Sequence, residues 1–470
     1  MKYYYHKIFA RGISYSSFLQ IFKKLSRIYL FVYLILICAF VQAQENGRLL
    51  EEKILEEADI EIEKHRKSDA VVKIINQDEK PVPDVKIKIR QISSDFLFAC
   101  NVTLITGELG EKIPIEHYRF QPRLESEKQV EEFKKRFLDL FNCATVPLYW
   151  KAVEPVEGKP DYSSVDRVIK WLKSNEINIK GHTLVWVHGD NLPLWFRAYP
   201  PQEQRKLIKK HIQDVVSRFK GRVDMWDMVN EAAWANNTLA GMSMGEYTSL
   251  PFIWAREADP DVLLAINDAH KIIPPTEMVR YWGFLYCMNQ NQVPYDIIGV
   301  QVHVNHDERF PLENIREILR KYSELKKPIH VTEFTPGSQG IPIRSSWKQG
   351  NWTEGEQAEY VERFYRLCFS IPAVKSIGWW DLSDYSAWVV KGGLIREDMT
   401  PKPAYETLKK LIHETWKTNL EGKTDQKGLF KFRGFHGKYK IQLELGKKIQ
   451  ESEIHIKINS DNNFSLLLID

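Results

Sequence analysis

The chain has 470 residues, more than one hydrophobic core usually fills, so one large domain with smaller additions is expected. Its formal charge is +4, but residues 1–43 carry six basic side chains (Lys2, Lys7, Arg11, Lys23, Lys24, Arg27) and no acidic ones, which leaves the remainder near −2. No basic patch stands out in that remainder, and this argues against a nucleic-acid partner.

In chain order, the basic start is followed by "IYLFVYLILICAFVQA", an apolar run ending in Val41-Gln42-Ala43. A run of about a dozen apolar residues before a small-residue site reads as a secretory signal over 1–43, whereas a membrane anchor needs roughly 20. The expectation is export, to the periplasm, the cell surface or the medium, with no stable membrane insertion after cleavage. A charged helical lead-in follows over 44–69. Residues 70–91 alternate with period two on both sides of Pro81-Val82-Pro83-Asp84, the signature of a β-hairpin.

From about Phe96 to Leu382, short apolar runs alternate with amphipathic helical sequence. The runs are "FLFACNV", "CATVPLYW", "IKGHTLVW", "VDMWDMVNE", "LLAIND", "IIGVQVHV", "PIHVTEF" and "SIGWWDLSD". Eight such units predict an α/β fold, a (β/α)8 TIM barrel spanning 93–416. An open doubly wound sheet would want a glycine-rich first turn, and "FACNVTLITGELG" is not one. After Trp416 the pattern returns to β. Those short strands are too few to stand alone, as is the 70–92 segment. The economical arrangement is a small accessory β-sandwich formed from N- and C-terminal segments (70–92 and 417–470), with the barrel inserted between them.

Four cysteines lie outside the leader: Cys100, Cys143, Cys287 and Cys368. They form no CxxC pair, so no metal knuckle is suggested. Cys100 and Cys143 could meet on adjacent strands; four buried free thiols is the favoured reading. No ligand cluster demands a metal, and no cofactor is implied.

Polar residues recur at the C-terminal ends of the runs: His182, Asn230-Glu231, Asn267-Asp268, Gln301, His303, Glu333 and Asp384. In a (β/α)8 barrel those ends share one face, where sites are built. Glu231 and Glu333 are the candidate catalytic pair. Two carboxyl groups about 5–5.5 Å apart suit a retaining glycosidase and roughly 6.5–9.5 Å an inverting one; a sequence gives no distance.

The motifs "GHTLVW" (181–186), "WDMVNEA" (226–232), "AREADP" (255–260), "IND" (266–268), "GVQVH" (299–303) and "VTEF" (331–334) occur in the order found in glycoside hydrolase family 10, the β-1,4-xylanase family, which the chain resembles over nearly the whole barrel. The resemblance implies double displacement through a covalent glycosyl-enzyme, with Glu231 as acid/base and Glu333 as nucleophile. It implies a polysaccharide substrate, xylan or a related β-1,4-glycan. It also implies substrate-binding roles for His182, Trp186, Asn230, Gln301, His303, Trp380, Trp388 and Trp150. The chain departs from the family near these residues. Val146 and Tyr149 replace polar grips, and Val187 stands where His is common, with His188 one place later. Thr335 replaces an Asp, Asp381 a Gly and Ala387 a Ser. A decorated xylan, another glycan such as a glucan or xyloglucan, and an inactive carbohydrate-binding barrel are the competing readings.

Overall fold

A computed structural model describes residues 15–106, 124–187, 191–235, 239–269, 275–303, 307–385, 387–446 and 448–468. Residues 1–14 of the expected leader, and His188, lie outside the described residues. The chain divides into two compact units, Met1–Lys53 and Ile54–Asp470. A helix is described over Tyr15–His65. Among the described residues no helix is long and apolar enough to cross a membrane. The lead-in expected to stay helical to residue 69 stops at His65, because Lys67–Asp69 pair with Phe435–Arg433 as strand.

Within the second unit, eight parallel strands close into a barrel. They follow two earlier strands, β1 (Lys67–Ile75) and β2 (Lys86–Gln91). The barrel strands are β3 (Leu97–Asn101), β4 (Cys143–Pro147), β5 (Asn178–Trp186), β6 (Met225–Asn230), β7 (Leu263–Asp268), β8 (Ile297–Val300), β9 (Ile329–Phe334) and β10 (Val374–Asp381). The circle closes where β10 pairs with β3. Helices alternate with the strands, and their sequences explain their limits. Ser126 and Ser243 each form a capping box with the residue three places on, satisfying amides that would otherwise lack partners. The helix Leu312–Ser323 buries Leu312, Ile315, Ile318, Leu319 and Tyr322, one stripe at helical spacing, against the sheet.

The barrel interior changes character along its axis. Cys143, Met225 and Ile297, each the first residue of its strand, pack with Ala99 and Ala265 in a small apolar cluster. Towards the C-terminal strand ends the interior turns polar, with buried Lys180, His182, Asp227, Asn267, His330, Thr332 and Glu333. Gly181 is required by packing: a Cβ there would lie 2.1 Å from the Trp226 ring.

The accessory strands are β1, β2 and five C-terminal ones: β11 (Asn419–Lys423), β12 (Leu429–Phe435), β13 (Gly437–Leu445), β14 (Lys448–Ile456) and β15 (Asn463–Leu467). They form a three-stranded sheet, β12-β1-β15, and a four-stranded sheet, β11-β2-β13-β14. The hairpin expected over 70–91 does not form. β1 and β2 lie in different sheets, and each pairs with C-terminal strands instead. The alternation was real, with Ala70, Val72 and Ile74 inward on β1 and Ile87 and Ile89 inward on β2, Val85 just before it continuing the row. Facing each other across the sandwich buries both apolar rows, which a side-by-side ribbon would leave on one open face.

Cys100 and Cys143 are on adjacent strands but out of step. Cys100 is opposite Ala144, so the two thiols point to different faces and remain free. Cys368 is buried and free as well, whereas Cys287 is exposed, contrary to the four-buried expectation: it sits on the outward side of the helix Pro275–Gln290.

Arg66 anchors the first strand to the barrel. Its guanidinium donates to the carbonyls of Phe369 (2.5 Å), Ile371 (2.7 Å) and Val374 (2.8 Å), and lies 4.8–4.9 Å from the Phe96 and Phe369 rings. Burial pulls its pKa down to about 9. Arg66→Ala leaves three buried carbonyls without that donor. It should cost about 3 kcal/mol or more in urea unfolding. A loss under about 1 kcal/mol would show the anchor to be dispensable.

Candidate active site

The site is built on the C-terminal ends of six barrel strands, β5 to β10. β6 ends in Asn230, and Glu231 follows with its backbone in the left-handed region (φ 58°), held by Glu231 N–H donating to the Asn267 carbonyl at 2.8 Å. That conformation costs a non-glycine residue roughly 1 kcal/mol and turns the side chain off the strand path. Asp268 Oδ2 accepts from Ala233 N–H at 2.7 Å and secures the turn beyond. Glu333 lies within β9 and is 3 % exposed.

Asn267 on β7 ties the two ends together. Its Nδ2 donates to Glu333 Oε1 at 2.7 Å and to Asn230 Oδ1 at 2.9 Å. Its Oδ1 accepts from Thr332 Oγ1 at 2.7 Å. Space for this amide is made by Gly299 on β8, where a Cβ would come 2.6 Å from Asn267 Oδ1. Gln301 and His303, expected on the sixth barrel strand, lie one and three residues past the end of β8. Gln301 Nε2 donates to Asn230 Oδ1 (3.2 Å) and Glu231 Oε1 (3.3 Å). With Asn230 Oδ1 taking two donors, its own NH2 group is turned away as a donor.

The two carboxyl groups differ in environment. His303 Nε2 donates to Glu333 Oε2 at 2.8 Å. Among the described residues His303 Nδ1 is buried with no hydrogen-bond partner, so the proton shared with Glu333 belongs on Nε2. Thr335, at the position where a carboxylate was noted as usual, instead hydrogen-bonds the Glu333 carbonyl at 3.5 Å. Burial alone would raise Glu333, but His303, then His182 and Lys180, outweigh it and hold the group below its usual range. Glu231 has one donor on each oxygen, Gln301 and the Trp186 indole N–H (3.1 Å). Burial first, and the charge of Glu333 second, still push it above the usual range. One carboxyl is therefore poised as an acid and the other as an anion.

Aromatic rings surround the pair. Trp380 on β10 stands edge-on to His182 (centroids 5.3 Å) and to His303 (6.0 Å). Trp388, half exposed, lies 4.6 Å from the His303 ring. Tyr149 stands edge-on to His182 (5.8 Å) and 6.1 Å from Trp186. Asp381, the last residue of β10, accepts the Trp388 backbone N–H at 2.8 Å and so fixes the loop that carries this ring.

Trp150 is not brought to the site. It lies in a short helix after β4, with its N–H donated to Glu154 (2.8 Å) and its ring stacked on His211 at 4.1 Å. The turn at Tyr149 rotates Trp150 into the packing between helices and puts Tyr149 towards the site instead. Asn267 was noted as a strand-end residue but not as part of the site, although its position beside Asn230 in the β6–β7 register was a usable signal. Among the described residues no group of three His, Cys, Asp or Glu side chains could hold a metal ion.

The family model for glycosyl hydrolase family 10 matches residues 121–411. The chain belongs to that family and is a glycosidase. Among its relatives, endo-1,4-β-xylanase B of Thermotoga neapolitana is 30 % identical over 313 residues, covering 62 % of this chain and 86 % of that protein. Anti-sigma-I factor RsgI6 of Acetivibrio thermocellus is 25 % identical over 399 residues, covering 84 % of this chain and 47 % of that one. The crystal structure of native xylanase 10B from Thermotoga maritima aligns with a TM-score of 0.55 at 26 % identity, over 68 % of this chain and 96 % of that one.

Carboxyl-selective NMR titration should place Glu333 below and Glu231 above the ordinary carboxylate range. Trp186→Phe removes a donor that stabilises the ionised form, so the Glu231 midpoint should move further up. A downward move would show that the indole N–H does not set this group.

Proposed function

We propose that this chain is an exported retaining endo-β-1,4-xylanase that cleaves internal xylosidic bonds by double displacement. The observation that carries the reading is the contrast between the two carboxyl groups. Glu333, held by His303 and Asn267, is shifted towards its ionised form; Glu231, beside the Trp186 indole, is shifted towards its protonated form. In the first step Glu333 attacks the anomeric carbon while Glu231 gives its proton to the departing oxygen. In the second, Glu231 takes a proton from water, and the water oxygen displaces Glu333. The Asn230 NH2 group, freed by the two donors on its oxygen, binds the 2-hydroxyl as positive charge develops on the ring. Trp388 and Trp380 offer flat faces for sugar rings, and His182 and Trp186 border the sugar at the cleaved bond. The names of the relatives, endo-1,4-β-xylanases among them, support xylan as the backbone.

A second reading, a decorated xylan or another β-1,4-glycan, is favoured by the wall after β4. There Val146 is fully buried and Tyr149 packs on His182 and Trp186, where polar grips were expected. A pure carbohydrate-binding role is disfavoured, because binding alone gives no reason to split the protonation of two buried carboxyl groups. Export rests on the leader over 1–43, and N-terminal sequencing of protein from the medium or periplasm should begin after Ala43.

The deciding assay measures reducing sugar released by the full chain from linear and substituted xylans, glucans and mannans. Release should be highest on a xylan. Glu231→Gln and Glu333→Gln should each lose more than about two orders of magnitude. Activity surviving in Glu333→Gln would remove the nucleophile assignment, and no release from any β-glycan would remove the enzyme reading of this site.

A further inference from the structure

Asp384 stands among the polar residues that follow the barrel strands, yet the reaction as proposed makes no use of it. It opens the segment between β10 and the helix Pro403–Lys410, and its partner is Lys402 at the far end of that segment. Both side chains are 1 % exposed. Lys402 Nζ donates to Asp384 (2.7 Å to Oδ2 and 2.8 Å to Oδ1), to the Lys391 carbonyl at 3.0 Å and to Ser338 Oγ at 3.2 Å. An ammonium has three N–H bonds, so each goes to a different acceptor. Asp384 Oδ1 also accepts the Gly393 N–H at 2.8 Å, and the Ser338 hydroxyl donates to the Lys391 carbonyl at 3.0 Å.

These contacts gather three pieces of chain at one point. They are the limb leaving β10 at Asp384, the returning limb at Lys391 and Gly393, and the loop after β9 at Ser338. Trp388 lies between the two limbs. Its neighbour Val389 is fully buried in the seam between the loops, where a Cβ on Gly337 would lie 3.3 Å from Val389 Cγ1. Gly392 makes room in the same seam, since a Cβ there would come 2.7 Å from Thr335 Cγ2. Gln357, on the helix Glu354–Ser370, donates to the Pro336 carbonyl at 2.7 Å and braces the β9 side. The half-exposed Trp388 ring is therefore carried by backbone held on both sides, by Asp381 at its own N–H and by Lys402 at Lys391. In that position the ring is 4.6 Å from His303. A buried ion pair adds little net stability, because desolvation offsets the attraction. A neutral side chain at 402, however, could not serve a carboxylate, a carbonyl and a hydroxyl at once.

We propose that Lys402 is a positioning residue that acts through Asp384 and the Lys391 carbonyl to hold Trp388 over His303, and so sets how tightly a sugar ring is bound on that indole. The binding part of this inference rests on the function proposed above; the placement of the ring does not.

The test uses the full chain labelled with 15N at tryptophan indoles, the Trp388 signal being the one lost in Trp388→Phe. Lys402→Met should shift that signal with no sugar present. A Trp388 signal that stays in place would overturn the proposal. On a xylan, Lys402→Met should raise KM about tenfold and leave kcat within about twofold, because stacking on the ring is made equally to substrate and transition state. Trp388→Ala should do the same, and Lys402→Met added to it should raise KM by no more than about twofold further. Two effects that multiply, to about a hundredfold together, would mark a lysine that only supports the fold and would overturn the proposal. Lys402→Met leaves a buried carboxylate without its cation, so the double variant Asp384→Asn/Lys402→Met provides a form free of that charge. It should unfold in urea near the unaltered midpoint and still show the shifted Trp388 signal and the raised KM. A double variant with the unaltered signal and KM would show Lys402 to be only the counter-ion of Asp384, and that result would also overturn the proposal. A chain inactive on every glycan would overturn the proposed function, while the indole signal still decides the role of Lys402.

Discussion

The amide of Asn267 has three polar partners at the barrel mouth, and the rest of the site depends on all three being met. Its NH2 group is divided between Glu333 on β9 and Asn230 on β6, and its oxygen takes the Thr332 hydroxyl. An amide has one fixed arrangement of donors and acceptor, so these contacts set its orientation without ambiguity. Through them the ends of β6, β7 and β9 are held in one register. Gln301 adds the end of β8 by sharing Asn230 Oδ1 and reaching Glu231. The two carboxyl groups are thereby fixed relative to each other by neutral amides. A cation between them would have pulled both towards the ionised state. Neutral donors leave the difference to burial and to His303, and so allow one acid and one anion to coexist.

A polar barrel interior is costly, and its arrangement shows how that cost is contained. Removing an ion from water costs several kcal/mol even after relaxation, and a partner in good geometry offsets that only in part. Lys180 and Asp227, a buried ion pair on neighbouring strands, are therefore weak evidence for stability. The strands that hold them draw their stability elsewhere, from the apolar cluster at the strand starts and from the helices packed outside. The accessory sandwich closes its own core from both ends of the chain and is tied to the barrel by Arg66, away from the strand ends that carry the carboxylates. The site is thus formed by rigid strand ends rather than by the accessory sheets.

Much of this was legible in the sequence because a barrel repeats one rule. Polar residues that follow an apolar run must leave the core at the C-terminal strand end, and in a closed parallel barrel all such ends meet. Glu231, Glu333, His182, Asn230, Gln301 and His303 were singled out in this way, whereas Trp186, Trp380 and Trp388 were named only through the resemblance to the family. What was not legible depends on direction. Period-two alternation says that residues 70–91 have one buried face, but it does not say which strands they pair with. Trp150 follows a strand just as the site residues do, yet a single turn at Tyr149 points its ring into the helical layer. Lys180 was hidden inside an apolar run, although its spacing from His182 places the two on one face.

The departures from the family acquire physical meaning once placed. Asp381 replaces a residue without a side chain, and its carboxylate accepts the Trp388 backbone N–H, so the loop bearing that ring is held by a charged acceptor. Trp388 in turn covers His303, which holds Glu333. Thr335 stands where a carboxylate is usual beside this histidine, and among the described residues His303 Nδ1 has no hydrogen-bond partner. The surroundings of the pair therefore changed in a consistent direction. Val146 and Tyr149, at and just past the end of β4, and Thr335 after β9 stand where polar or charged side chains are usual in the family, and Asp381 adds a carboxylate where it braces an aromatic ring. Under the second reading proposed above, such a site would rely less on hydrogen bonds to the sugar beyond the cleaved bond and more on ring stacking. Stacking tolerates substituents on hydroxyls that a polar grip would have to reach. The physical argument for a substituted glycan thus comes from what surrounds the carboxylates, while the argument for glycosidic cleavage comes from the carboxylates themselves, and the two can succeed or fail separately.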